Sequence, residues 1–133
     1  MAIPQDAEEE ARPFYGGVLG LMEVTKPAEL AEHGGLWFVL GDGIGLHLGV
    51  DPQFHAATKA HPGLIVVDLG ALKKRLLELG IGVASGVDPM GRKRVYVGDP
   101  FGNRVELIEA TSDKTRALDD SGAPWLGSDD EQL

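Results

Sequence analysis

The sequence predicts an α+β fold in which one βαβββ unit is used twice. Two observations carry that prediction. Each half of the chain reads as a strand, a helix ending in Leu-Gly and three further strands, with Leu19-Gly20 in the first half matching Leu79-Gly80 in the second. In addition, His47 stands four places after Gly43, just as Glu106 stands four places after Gly102. A repeat that reproduces both an element order and the position of a potential ligand favours duplication over chance.

The elements follow from local chemistry. Met1-Ala-Ile-Pro4 reads as the end of a first strand. Asp6 and Glu9 resemble a capping box, Glu8 to Glu10 suit the positive end of a helix dipole, and Ala7, Ala11, Phe14 and Val18 recur at helical spacing. Pro13 interrupts that spacing, because it lacks an N–H and crowds the preceding turn, so the helix is expected to start later than Asp6 or to bend. Leu21 to Thr25 is a short strand, and Pro27 starts a turn of helix over Ala28 to Glu32 that Gly34-Gly35 breaks. Leu36 to Leu40 and Ile44 to Val50 are strands around the hairpin signal Gly41-Asp-Gly43. Asp51 to Lys59 is a linker.

The second unit opens with Ala60-His61-Pro62 and a strand through Val67. Leu69, Leu72, Leu76 and Leu79 form the apolar stripe of a helix, with Lys73, Lys74 and Glu78 facing water and Gly80 as its stop. Ile81 to Ala84, Arg92 to Val97 and Asn103 to Ile108 complete the set, the last following the turn Asp99-Pro-Phe-Gly-Asn103. The domain reading is residues 1–52 for the first module, with its first strand cut short, 60–110 for the second, and 111–133 for an acidic, mobile tail.

Bulk properties limit the function. A chain of 133 residues with 43% hydrophobic and 25% charged content is one soluble globular unit. It shows no membrane span and no signal peptide, so a cytoplasmic location is expected. Zero cysteines exclude disulfides, thiolate metal sites and a thiol nucleophile. A net charge of −9 argues against nucleic acid and suits, if anything, a cationic ligand.

Strand alternation selects the candidate site. Arg104, Glu106 and Ile108 share one face of the last strand, and Gly45, His47 and Gly49 share one face of its counterpart, while the intervening leucines and valine take the core. His61 shares a face with Gly63, Ile65 and Val67. His47, His61 and Glu106 make a set of two imidazoles and a carboxylate. That set suits a divalent ion such as Zn²⁺, Ni²⁺, Fe²⁺ or Mn²⁺ and leaves positions open to substrate. Each also has an ordinary reading: a histidine hydrogen-bonded in a strand, a solvent-facing carboxylate, a strand-entry residue before a proline. His33 and His55 fall in loop-like segments and read as solvated.

Four stretches together make the chain resemble the vicinal oxygen chelate superfamily of glyoxalases, bleomycin-resistance proteins, fosfomycin-modifying enzymes and extradiol dioxygenases. They are Phe14-Tyr15 with Val18-Leu19-Gly20, His47 in Leu-His-Leu, Ala60-His61-Pro62, and Asp99-Pro-Phe-Gly-Asn-Arg-Val-Glu106. The resemblance covers about residues 1 to 110. It implies two βαβββ modules forming a curved mixed sheet around a central cleft, and a homodimer. It also implies metal ligands on the first and last strands of each module, which His61, His47 and Glu106 fill in three places. The fourth place projects to about residue 1 or further upstream, so a histidine ahead of Met1, or a three-ligand site, is expected.

Two functions follow from the resemblance. The first is a metal-dependent, glyoxalase I-like lyase or isomerase. It would act on a small substrate with vicinal oxygens through a stabilised enediolate, with Glu106 moving the proton and Arg94, Tyr96 and Arg104 steadying substrate oxygens. The second is a metal-free protein of the bleomycin-resistance type that sequesters a small, cationic ligand, with Trp37 and Trp125 stacking on it. Thiol transfer to an antibiotic lacks a clear anion loop, and extradiol dioxygenases are usually longer chains.

Overall fold

A computed structural model describes residues 1–41 and 43–110; the expected tail at 111–133, with Trp125, lies outside them. The first module comprises β1 (Ala2–Ile3), α1 (Glu8–Arg12), a π-helical turn Pro13–Val18, β2 (Met22–Val24), α2 (Ala28–Ala31), β3 (Leu36–Val39) and β4 (Gly45–Val50). The second comprises β5 (Gly63–Val66), α3 (Leu69–Glu78), β6 (Val83–Val87), β7 (Lys93–Gly98) and β8 (Arg104–Glu109). Their sheets run β1-β4-β3-β2 and β5-β8-β7-β6. In each, the first strand lies parallel to the last and the remaining pairs are antiparallel. The βαβββ unit is therefore used twice, with α2 as an addition in the first copy.

The registers superimpose the two copies. Trp37 pairs with His47 as Tyr96 pairs with Glu106. On β8 the core side carries Val105 and Leu107, and on β4 it carries Leu46 and Leu48, all buried. They join Ile3, Ala11, Tyr15, Phe38, Leu64 and Leu76 in one cluster that spans both modules. The Tyr15 hydroxyl donates to Asp99 Oδ2 at 2.7 Å and the Asn103 amide donates to the Ala2 carbonyl at 2.8 Å, so the modules are also tied by buried polar bonds.

One local expectation is corrected and another is met. Asp6 does not cap the first helix: it sits at φ 62°, and Ala7 occupies the cap position without a side-chain bond. Pro13 directly follows a helix that begins at Glu8, later than Asp6 as expected. It opens a wider turn, in which the Leu19 N–H reaches the Phe14 carbonyl at 2.9 Å, five residues back. The Leu-Gly endings behave alike, with Gly20 at φ 76° and Gly80 at φ 77°, the left-handed cap that ends a helix. On α3, Asp68 Oδ1 accepts from the Ala71 N–H at 3.0 Å, Leu69 and Leu76 are buried, and Leu79 is exposed rather than part of the stripe.

Candidate active site

The last strand delivers the site because of the turn ahead of it. In Asp99-Pro-Phe-Gly-Asn103, the Asp99 N–H donates to the Asn103 carbonyl at 2.8 Å and the Gly102 N–H donates to the Asp99 carbonyl at 3.1 Å. Asp99 Oδ1 also accepts from the N–H groups of Phe101 and Asn103 at 2.9 and 2.8 Å. Gly102 takes φ 90°, where an L side chain is strained. The strand restarts in a fixed register, with Glu106 on the face away from the Val105–Leu107 core.

Glu106 is fully buried. Its Oε1 lies 2.9 Å from His61 Nε2, and its Oε2 accepts from the Arg94 guanidinium at 3.2 Å. His61 Nδ1 is 2.6 Å from the Lys59 carbonyl. A carbonyl only accepts, so Nδ1 carries a proton and Nε2 is the nitrogen left to face the carboxylate. Two Lewis bases in contact require a shared proton or cation between them. A backbone carbonyl that fixes the imidazole tautomer is the support a metal-ligating histidine commonly has. His61 and Glu106 thus fit a divalent ion as two of its ligands.

The aromatic and cationic neighbours complete the cluster. Tyr96 meets the His61 ring edge to face at 5.4 Å, and the guanidiniums of Arg94 and Arg104 lie 5.1 and 4.8 Å from its ring centre. Beside Tyr96 opens a cavity of about 500 Å³ bordered by Thr58, Gly82, Ala84, Gly98 and Arg104. Among the described residues, the buried Nε of Arg94 has no hydrogen-bond partner.

His47 and Trp37 belong to a different place. Their rings stack in parallel, 3.9 Å apart, over a recess of about 320 Å³ that Lys26, Leu30 and His33 also line. Gly45 leaves room for that imidazole, since a Cβ there would stand 3.1 Å from His47 Nε2. Among the described residues no group of three His, Cys, Asp or Glu side chains could hold a metal. The structure thus unites His61, Glu106, Arg94, Tyr96 and Arg104 and does not bring His47 or Trp37 to them. The residues that sequence reasoning missed are Lys59, whose backbone orients His61, Arg94 as the ion-pair partner of Glu106, and Thr58. Sequence reasoning named Arg94 as a substrate contact and set Glu106 by strand alternation, but only the register reveals that they meet.

A duplicated βαβββ fold with a histidine just ahead of the first strand of its second module and a carboxylate on the last strand defines a class. The chain belongs to the vicinal oxygen chelate superfamily of glyoxalases, bleomycin-resistance proteins and dioxygenases. A glyoxalase-family protein of Bacillus anthracis is similar to it at 42% identity over 83% of this chain and 89% of that one, with a TM-score of 0.78. A lactoylglutathione lyase of Agrobacterium tumefaciens is 28% identical over 83% and 90%, at TM-score 0.61. A glyoxalase/dioxygenase of Nostoc punctiforme is 25% identical over 84% and 89%, at TM-score 0.68. No protein-family model and no curated protein matches the sequence. Among the described residues no helix is long and apolar enough to cross a membrane.

Proposed function

We propose that the chain is a metal-dependent enzyme of the glyoxalase type, acting on a small substrate with vicinal oxygens, and that it works as a homodimer. The observation that carries this reading is the 2.9 Å contact between His61 Nε2 and Glu106 Oε1, with the imidazole tautomer set by the Lys59 carbonyl. His61 and Glu106 would hold a divalent ion, which when bound would supply Lewis acidity to adjacent substrate oxygens. The chain's own residues do the rest. Tyr96 walls the site, Arg94 and Arg104 orient oxygen-bearing groups, and burial keeps water from Glu106, the residue assigned to move the proton. The homodimer is supported by the open face of the first module. There Met22 is 65% exposed and shares a side of the sheet with Trp37 and His47.

A second reading rests on Arg94. Its guanidinium already gives Glu106 a counter-charge, so the cleft is electrostatically complete enough to bind a ligand without metal or chemistry, as a sequestering protein does.

Melting curves with Zn²⁺, Ni²⁺, Mn²⁺ or Fe²⁺ separate the two. At a hundredfold excess over Kd, a ligand of the folded state adds about 2.7 kcal/mol, a rise of several degrees in Tm. The enzyme reading expects that rise with at least one ion and its loss in His61→Ala and Glu106→Gln. Identical curves with and without every ion would leave the sequestering reading standing alone.

A further inference from the structure

Resting on that reading of the His61–Glu106 pair, we propose that the site selects an anionic substrate, one with a carboxylate or comparable acidic group that Arg104 anchors beyond Tyr96. The whole-chain charge of −9 points the other way, toward a cationic ligand. Local geometry decides, because a bound ligand feels the groups within a few ångströms far more than a screened net charge. Arg104 has no carboxylate partner among the described residues. Its guanidinium is held over the Tyr96 ring at 4.8 Å, on the rim of the cavity of about 500 Å³. Arg94 also lies over the Tyr96 ring, at 5.1 Å, but it is engaged with Glu106 at 3.2 Å and does not border that cavity, so Arg104 is the guanidinium a ligand there meets.

Among the described residues, the one carboxylate in this cluster, Glu106, is already engaged by both His61 and Arg94. A cationic ligand would therefore meet the outward charge of Arg104 with no free acid to offset it. The other walls of the cavity are a hydroxyl from Thr58 and uncharged glycine, alanine and valine residues, among them Gly82, Val83, Ala84 and Val97, which admit a substrate chain without adding charge.

Distance narrows the class further. Arg104 and Glu106 are two residues apart on the same face of β8, about 7 Å along the strand. A substrate whose vicinal oxygens lie at His61–Glu106 therefore carries its anionic group a few bonds away, at the opposite end of a short molecule. Guanidinium–carboxylate pairing is strong and directional, so this contact sorts substrates by their far end while the reacting end stays the same.

Two small acids isolate the effect: 2-oxoglutarate, with vicinal oxygens and a distal carboxylate, and 2-oxopentanoate, with the same reacting end and an apolar tail. Calorimetric titration of the full chain in the presence of saturating Zn²⁺ is expected to give 2-oxoglutarate an affinity at least about tenfold higher, the scale of one charge-assisted hydrogen bond. Arg104→Gln should bring the two acids to parity, Arg104→Lys should restore part of the difference, and the Zn²⁺-induced rise in Tm should be unchanged in both variants. Equal affinities in the unaltered protein, a preference that survives Arg104→Gln, or no binding of 2-oxoglutarate would overturn the proposal. In each of those cases, a Zn²⁺-dependent melting shift lost in Glu106→Gln would show that the underlying metal site still stands.

Discussion

A carboxylate with no exposed surface is the most demanding group in this protein, because removing its water costs several kcal/mol unless partners replace it. Glu106 is in that position, and His61 and Arg94 replace the water. Removing one partner should therefore harm the fold as well as the site. Arg94→Met is expected to lower stability by roughly 3 kcal/mol, the usual result of stranding one half of a buried pair. Replacing both charges, as Arg94→Met with Glu106→Gln, should cost less than the two single changes summed, since the second change removes the charge that the first left unpaired. Urea unfolding of the four proteins measures this directly, and additive losses would mean that the 3.2 Å contact carries no coupling. Tyr15 makes a quieter demand at the same scale. Burial, reinforced by the negative charge of Asp99, pushes its phenol well above the ordinary range, so it remains a neutral donor to that carboxylate.

The elements show where residue-level chemistry becomes geometry. The hairpins around Leu40–Ile44, Asp88–Arg92 and Asp99–Asn103 close with the same pair of backbone bonds and place Gly43, Gly91 and Gly102 at φ 88°, 83° and 90°. Two of them add an aspartate folded over its own turn. Asp88 Oδ1 accepts from the N–H groups of Met90 and Arg92, and its Oδ2 accepts from the Arg92 guanidinium at 2.5 Å. Burial by itself would raise the Asp88 carboxyl, but the bonds from the Arg92 backbone and then its side chain outweigh burial and hold it below its ordinary 3.8. A lowered folded value stabilises above the unfolded value and is lost as pH falls through the folded one. Asp88→Asn should therefore cost roughly 3 kcal/mol near neutral pH, with the difference fading below about pH 4. A gap that persists unchanged to pH 2 in thermal melts would show that shape, not charge, secures the turn. The glycines around residue 42 and Asp99-Pro-Phe-Gly marked two of these turns in the sequence, while the Asp88 turn, with the same Asp-Pro-x-Gly pattern, was passed over. The cap of the first helix was not legible. Asp6 and Glu9 match a capping box by type, yet Asp6 adopts a left-handed backbone, and Glu8 instead turns its carboxylate to the Gly35 N–H at 2.8 Å. A bond to the residue just ahead of β3 replaced the local preference.

At the scale of the whole molecule, duplication made the fold readable and the site only half readable. A repeated strand pattern predicts which residues occupy equivalent positions, and Trp37–His47 and Tyr96–Glu106 do. Equivalence within a repeat is not proximity, however, and the two positions lie on separate sheets with separate recesses. His47 can join His61 and Glu106 only if another copy of the chain presents it, which the proposed homodimer allows. A two-fold dimer makes a sharp prediction here, since every contact occurs twice with the roles exchanged. His47→Ala and Glu106→Gln should each abolish high-affinity metal binding alone. Mixed and allowed to exchange subunits, they should regain it in part. A mixed dimer pairs the intact His47 of one chain with the intact His61 and Glu106 of the other, leaving one good site and one doubly altered site. With random exchange half of the dimers are mixed, so about one quarter of all sites should bind as in the unaltered protein. Equilibrium dialysis with Zn²⁺ reads that fraction. Recovery near a quarter places His47 across a dimer interface. No recovery, with His47→Ala binding metal normally by itself, would confine the centre to His61 and Glu106 of a single chain and leave the stacked His47–Trp37 pair to another purpose.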